Sequence, residues 1–201
     1  AGLSHILEHM LFKGTESRGV GRIDQEVQEV GGYMNAYTSF DRTVYYIDAP
    51  NTGARVAIDI LCDIMQHATL PESELAKELD VIRREIDMGQ DDPGRRASRR
   101  LFETAYAISP YRHTVIGYPD IFNELNRDDI VGYYRARYIP GNIFYVVVGD
   151  VCADDVPFAA PPTDTSRVIF STSYKSGRWR YATVCASCRT AVGPHSFNTV
   201  Q

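Results

Sequence analysis

The sequence predicts an α+β fold, a two-layer sandwich in which helices pack on one face of a mostly antiparallel sheet. Two observations predict it: amphipathic helical segments stand on both sides of a β-hairpin, and an apolar strand follows the last helix. A third is that 44% of the 201 residues are hydrophobic, which is enough for a core. This order of elements is typical of helices that cover one side of a sheet.

Two short helices and a hairpin are predicted first. Apolar residues recur every three or four positions over 3–11, as in a helix with one buried face. A second helix over 22–30 ends at the glycines 31–32, because glycine gives a helix terminus backbone freedom. Segments 33–38 and 43–49 are rich in aromatic and β-branched residues and flank a short turn, which predicts a β-hairpin.

The rest of the predicted domain is helical until its last strand. Helices are predicted over 51–66, from Pro71 to about Met88, over 95–107 and over 127–138, and a buried strand over 142–149. We expect residues 1–153 to form one domain. Residues 154–201 contain clustered prolines, and their apolar residues follow neither a helix period nor a strand period for more than a few positions. We therefore expect a poorly specified tail.

Composition excludes several classes of function. With 26 acidic and 21 basic residues the formal charge is −5, which argues against nucleic-acid partners. No apolar run of about 18 residues occurs, so we expect no membrane span. Four cysteines are too few for a disulfide framework. The chain starts at Ala1 without a targeting segment, so we expect an internal fragment, and its compartment is left open.

One polar motif interrupts the first apolar helix. His5 and His9 are four residues apart, so their rings project from one side of the helix, about 6 Å apart, and can bind one cation. Glu8 shares that side and is placed to act as a general base without being a ligand. The alternative is an exposed His/Glu face, but the apolar neighbours favour burial, and a buried polar group needs a partner. The pattern H-x-x-E-H is the inverted zinc-peptidase signature.

Four segments together carry a resemblance to a known family: HILEHMLFKGT (5–15), GGYMNAYT (31–38), TVYY (43–46) and ELDVIRREI (78–86). From Ala1 to about Val151 the chain resembles the N-terminal catalytic half of the pitrilysin/insulinase family of zinc peptidases, and its mitochondrial processing peptidase β-subunits in particular. The resemblance implies that residues 1–153 are the family's catalytic domain, with its metallohydrolase fold, and that this domain is incomplete at its N-terminus because further strands would precede Ala1. It also implies one Zn²⁺ per chain and a peptide substrate. It also implies a second homologous half, in the same chain or in a partner subunit.

The resemblance also assigns the site. It implies zinc ligation by His5, His9 and Glu85, which follows His9 by 76 positions, with Glu8 as general base. Glu78 would orient one of the histidines by accepting its other ring N–H. If the histidine motif were absent, Glu78 and Glu85 could equally be solvent-exposed acidic residues on one face of a helix.

An edge strand beside the zinc is implied as the substrate-binding element. Asn35 and Ala36 would contact the main chain of an extended peptide there. The alternative for Asn35 is a strand end or turn, where asparagine is common.

A non-catalytic role is the alternative function. The chain would then resemble the core subunits of the respiratory cytochrome bc1 complex and act as an assembly scaffold. The intact set of His5, Glu8, His9 and Glu85 argues against it, since a scaffold has no need of them.

The remaining candidates lack partners in the sequence. Cys185 and Cys188 have C-x-x-C spacing, but the only nearby additional ligand is His195. His67 and His113 belong to no spaced ligand set, and we expect both to be structural.

Overall fold

The computed structural model describes residues 2–150, 167–171 and 181–189. The helices are α1 (Leu3–Leu11), α2 (Arg22–Glu29), α3 (Ala54–His67), α4 (Glu72–Asp91), α5 (Pro93–Ala105), α6 (Pro119–Phe122) and α7 (Arg127–Arg137). The strands are β1 (Tyr33–Thr38), β2 (Arg42–Pro50), β3 (Ile143–Gly149), β4 (Arg167–Ser171) and β5 (Tyr181–Arg189). Short 3-10 turns occupy Asn51–Gly53, Pro110–Arg112 and Pro140–Asn142.

The five strands form one sheet in the order β1-β2-β5-β3-β4. The neighbouring strands pair antiparallel except β3 and β4, which are parallel. The predicted α+β class with a mostly antiparallel sheet is confirmed.

Helices cover one face of the sheet. Successive residues of a strand point to opposite faces of the sheet, so the residues that face the helices are every second residue along each strand. Two rows of such residues run across β2, β5 and β3, namely Tyr45, Ala186 and Tyr145, then Ile47, Val184 and Val147. Helix α3 contacts β2 and β5, and α1 contacts β1 and β2. The core lies between these helices and the sheet.

The sheet extends past the boundary expected at residue 153. Strand β5 lies between β2 and β3, and β4 follows β3 at the end of the sheet. Two segments of the expected tail thus belong to the sheet, and the other residues of 154–201 lie outside the described part. The division into domains stays a prediction.

Element boundaries differ from the prediction where local caps or short turns decide them. Helix α5 starts at Pro93 because the Asp92 side chain accepts hydrogen bonds from the backbone N–H groups of Gly94 and Arg95. The four-residue α6 was not predicted, since an element that short shows no period. Within the described residues, no helix has both the length and the apolar character needed to cross a bilayer.

Candidate metal centre

Helix α1 positions the first three residues of the site. Its apolar residues Ile6, Leu7, Met10 and Leu11 are fully buried, which fixes the rotation of the helix. His5, Glu8 and His9 form the remaining polar side and are half-buried. The i, i+4 spacing predicted from the sequence therefore gives two adjacent rings, with centroids 4.8 Å apart.

Glu85 reaches the same place from α4, which packs against α1. Its carboxylate oxygen Oε2 lies 3.7 Å from His5 Nε2 and 3.9 Å from His9 Nε2. These separations exceed hydrogen-bond distances. They are close to the roughly 3.4 Å between two ligand atoms of a tetrahedral zinc ion. Among the described residues, His5, His9 and Glu85 are the cluster that can hold a metal ion, with donor atoms within 4.8 Å of one another.

The Nδ1 atom of the His9 ring has a buried acidic partner, Glu78. His9 Nδ1 donates to Glu78 Oε2 at 2.9 Å, which leaves Nε2 available to a metal ion. Glu78 is 8% exposed, and its other oxygen lies 2.6 Å from Lys13 Nζ. Burial raises the pKa of Glu78, but hydrogen bonds from Lys13 and His9 outweigh burial, so the net pKa is lowered. The carboxylate therefore stays charged and keeps the ring in one orientation.

His5 differs from His9. Its Nδ1 is buried and has no hydrogen-bond partner among the described residues. Burial, together with the neighbouring His9, lowers the pKa of His5 to about 4. The ring is therefore neutral near pH 7, the form that binds a metal ion.

Glu8 is held by the end of the edge strand. The Thr38 hydroxyl donates to Glu8 Oε2, and Thr38 is the last residue of β1. Burial raises the pKa of the Glu8 carboxyl above its ordinary value. This change brings the group closer to the pKa of a base that works near neutral pH.

Asn35 and Ala36 lie on β1, the strand at one edge of the sheet. Asn35 is exposed, and its Nδ2 donates to the Tyr33 hydroxyl at 2.8 Å. The Ala36 backbone N–H donates to Asn35 Oδ1, also at 2.8 Å. Both residues thus lie on the strand whose end contacts Glu8.

The sequence analysis missed Thr38 and Lys13. Thr38 lies two residues after Ala36, on the same side of β1, so strand alternation offered a signal for it. Lys13 follows His9 by four residues, but it lies beyond the last helical residue of α1, so helix spacing alone did not point to it.

The other sequence candidates lie elsewhere. His67 pairs with Asp63 at 3.0 Å, and His113 Nδ1 lies 3.2 Å from the Tyr118 hydroxyl, as structural histidines do. Cys185 and Cys188 fall within β5, but their side chains lie outside the described part, as does all of His195.

Comparison with known proteins identifies the family of the chain. A family model described as "Insulinase (Peptidase family M16)" matches residues 1–118. An uncharacterized zinc protease of Rickettsia felis is 33% identical over 159 residues, which cover 79% of this chain and 39% of that protein. The β subunit of the mouse (Mus musculus) mitochondrial-processing peptidase is 35% identical over 155 residues, which cover 77% of this chain and 32% of that protein.

A solved structure shows the same architecture. A protease from Helicobacter pylori matches with a TM-score of 0.66 and 32% identity, over 69% of this chain and 34% of that chain. This chain spans between about a third and two fifths of the two relatives' length. The family model covers more than half of the 201 residues, and the resemblance seen in the sequence is confirmed. The chain belongs to the insulinase family, peptidase family M16.

Proposed function

We propose that this chain carries the zinc centre of a metalloendopeptidase that hydrolyses peptide bonds in extended peptides. The observation that carries the proposal is the approach of Glu85 from α4 to the two Nε2 atoms of His5 and His9 on α1. Membership of a family that includes proteins named zinc proteases supports it.

His5, His9 and Glu85 would hold the ion. Three protein ligands leave a fourth tetrahedral position open, the arrangement typical of catalytic rather than structural zinc sites. When bound, zinc lowers the pKa of a coordinated water to about 7 and polarises a carbonyl oxygen.

Glu8 would move the proton. It lies beside His9 on α1, so its carboxylate would accept a proton from the attacking water and pass it to the leaving amine. The Thr38 hydroxyl fixes one carboxylate oxygen, which leaves the other to face the water. Glu78 holds the His9 ring while this happens.

Strand β1 would bind the substrate. An extended peptide can add to an edge strand through main-chain hydrogen bonds, a mode that tolerates many sequences. The Ala36 N–H is one donor for such pairing, with the peptide carbonyl replacing Asn35 Oδ1. The freed Asn35 amide would then contact the peptide backbone.

A second homologous half would complete the substrate chamber. The chain spans only about a third of the mouse relative's length. We infer that the other half comes from the same natural chain, from an identical subunit or from a different one.

Metal analysis and a cleavage assay test the proposal together. By elemental mass spectrometry, we expect about one zinc per chain in the wild type and in Glu8→Gln, and none in Glu85→Ala. With a quenched fluorescent unfolded peptide, assayed with and without the complementary half, we expect turnover in the wild type and in neither variant.

Two results would contradict the proposal. Absence of zinc from the wild type would remove the metal centre, and substantial turnover by Glu8→Gln would exclude Glu8 as the base. Zinc binding without cleavage of any peptide, even with the complementary half present, would favour the scaffold function instead.

A further inference from the structure

We propose that a groove between the end of α4 and helix α5 is a subsite that binds an acidic side chain of the peptide substrate. The groove has a volume of about 540 Å³ and is lined by Gln90, Arg96, Arg99, Arg100 and Glu103, among others. This inference rests on the proposed function, because it names a class of substrate for the same site.

The groove is positively charged on an acidic protein. Arg99 and Arg100 share a single carboxylate, that of Glu103, at 3.0 and 3.6 Å. Arg96 forms no ion pair with any described residue. Three guanidinium groups thus face one carboxylate, while the whole chain has a net charge of −5. Such a local field attracts anions that the rest of the surface repels.

Helix α5 contacts the turn of the hairpin, which follows the strand that ends at the metal centre. Phe102 stacks on Phe40 with ring centroids 5.0 Å apart. Phe40 follows Thr38, which contacts the proposed base, by two residues. Along α4, Gln90 lies five residues after Glu85, a rise of about 7.5 Å. An extended peptide advances about 3.3 Å per residue, so a peptide that reaches both the metal centre and the groove would place its acidic side chain away from the scissile bond, at a position that the binding assay identifies.

The same helix also contacts the segment that packs against the start of α1. The Arg99 guanidinium lies 5.3 Å from the centroid of the Tyr118 ring. The preceding residue, Gly117, packs so closely on Gly2 that an added Cβ would lie 2.9 Å from the Gly2 Cα. Gly2 is the N-cap of α1. The groove is therefore joined to the ligand-bearing helix by continuous contacts.

Guanidinium chemistry sets the specificity. Arginine binds a carboxylate through two parallel hydrogen bonds, and such charge-assisted pairs are stronger than neutral ones. A glutamine side chain has the same shape as glutamate but no charge. We therefore expect the groove to prefer peptides with glutamate or aspartate at one position over their amide counterparts.

Peptide binding to the zinc-loaded Glu8→Gln protein tests this preference without cleavage. The assay uses pairs of labelled peptides that are amidated at the C-terminus. The two members of a pair differ only in carrying Glu or Gln at one position, and that position changes from one pair to the next. By fluorescence anisotropy, we expect the Glu peptide to bind about tenfold more tightly at one position. We expect Arg96→Gln to remove this preference and Arg96→Glu to favour a Lys peptide. Arg95→Gln is the matched control, since Arg95 is an exposed residue of α5 that pairs with Asp92 at 3.6 Å.

The outcomes separate the two proposals. Equal binding of Glu and Gln peptides at every position, or a preference that survives Arg96→Gln, would overturn the subsite and leave the peptidase function standing. Failure of every peptide to bind would contradict the proposed function and the subsite with it. If a peptide with a free C-terminal carboxylate binds more tightly than the amidated Glu peptide, the groove binds a terminal carboxylate. That result would overturn the side-chain subsite.

Discussion

At the scale of single residues, the two histidines of the site are supported unequally. His9 donates to Glu78, and Glu78 contacts Lys13, so two further side chains hold this ring in place. His5 Nδ1 has no such partner among the described residues. Because partners of this kind usually change metal affinity by about 10- to 100-fold, we expect affinity to depend strongly on the His9 side.

Lys13→Met should weaken zinc binding by about three- to tenfold, less than removal of Glu78 itself. The reason is that Lys13 acts only through Glu78, whose carboxylate would lose one of its two partners. Competition with a chromogenic chelator measures the affinity. Lys13→Arg should restore it, and Lys77→Met is the matched control, since Lys77 forms an exposed pair with Glu74. Unchanged affinity in Lys13→Met would show that Glu78 needs no second partner.

Thr38→Val should lower kcat by about tenfold and leave the zinc content unchanged. The valine has the shape of threonine but cannot donate to Glu8. The Thr38 hydrogen bond lowers the pKa of Glu8, so its loss should raise that pKa and move the acidic limb of the pH–rate profile upward. Thr38→Ser, which keeps the hydroxyl, should behave like the wild type. A Thr38→Val profile that matches the wild type would mean that the contact does not position the base.

At the scale of elements, the position of α1 depends on a close contact between two backbone segments. Gly117 has a φ of 93°, a conformation that favours glycine. An added Cβ would also lie 3.0 Å from the Phe122 ring, and Phe122 is 2% exposed. The segment before α6 therefore fits against α1 only because both positions in contact are glycines.

Gly117→Ala should reduce the free energy of unfolding by about 1–3 kcal/mol, from backbone strain and steric overlap. Urea unfolding measures the change, and the zinc affinity should fall with it because α1 carries two of the proposed ligands. Gly132→Ala is the control, since Gly132 is exposed on α7 with nothing near its Cβ position. That variant should be unchanged or more stable. Equal stability of Gly117→Ala and the wild type would contradict the close contact.

At the scale of the whole molecule, ion pairs join the connection after α1 to α2 and α3. Arg18 contacts Glu26 at 2.9 Å, Asp63 at 2.5 Å and Asp59. Burial raises the pKa values of Glu26 and Asp63, but hydrogen bonds from Arg18 and other donors outweigh it, so both are lowered. Because their folded pKa values lie below the unfolded ones, these groups stabilise the fold above about pH 4, and that stability is lost as the pH falls through this region.

Stability of the metal-free protein should begin to fall at a higher pH because of His5. Its pKa is about 4 in the folded chain, against an ordinary value of 6.5, so the unfolded chain binds the proton first as the pH drops below about 6.5. We expect the free energy of unfolding in chelator to fall by on the order of 2–3 kcal/mol between pH 7 and pH 4. His5→Gln should flatten the curve, whereas His113→Gln, at an exposed position, should not. Parallel curves for the wild type and His5→Gln would refute the burial of a neutral His5, because the raised pKa of Glu8 changes both curves in the opposite direction.

Short-range backbone geometry explains which elements could be predicted from the sequence. Helix α1, the hairpin and the placement of His5, Glu8 and His9 on one helix side follow from short-range periods of the backbone. Strand β5 was missed because its residues, YATVCASCR, are mostly small or polar and show little alternation of apolar and polar residues, although it lies inside the sheet. Its strand character depends on pairing with β2 and β3, which only the folded chain supplies.

The sequence by itself determined the α+β class, the histidine motif and, through resemblance, the family. Only the tertiary structure decided that Glu85 meets both histidines, that Glu78 contacts His9 rather than His5, and that Thr38 contacts Glu8. The physical reason is how far apart along the chain the contacting residues lie. Spacing along one helix or strand fixes neighbours within a few residues, whereas contacts between α1, α4 and β1 depend on how the whole core packs.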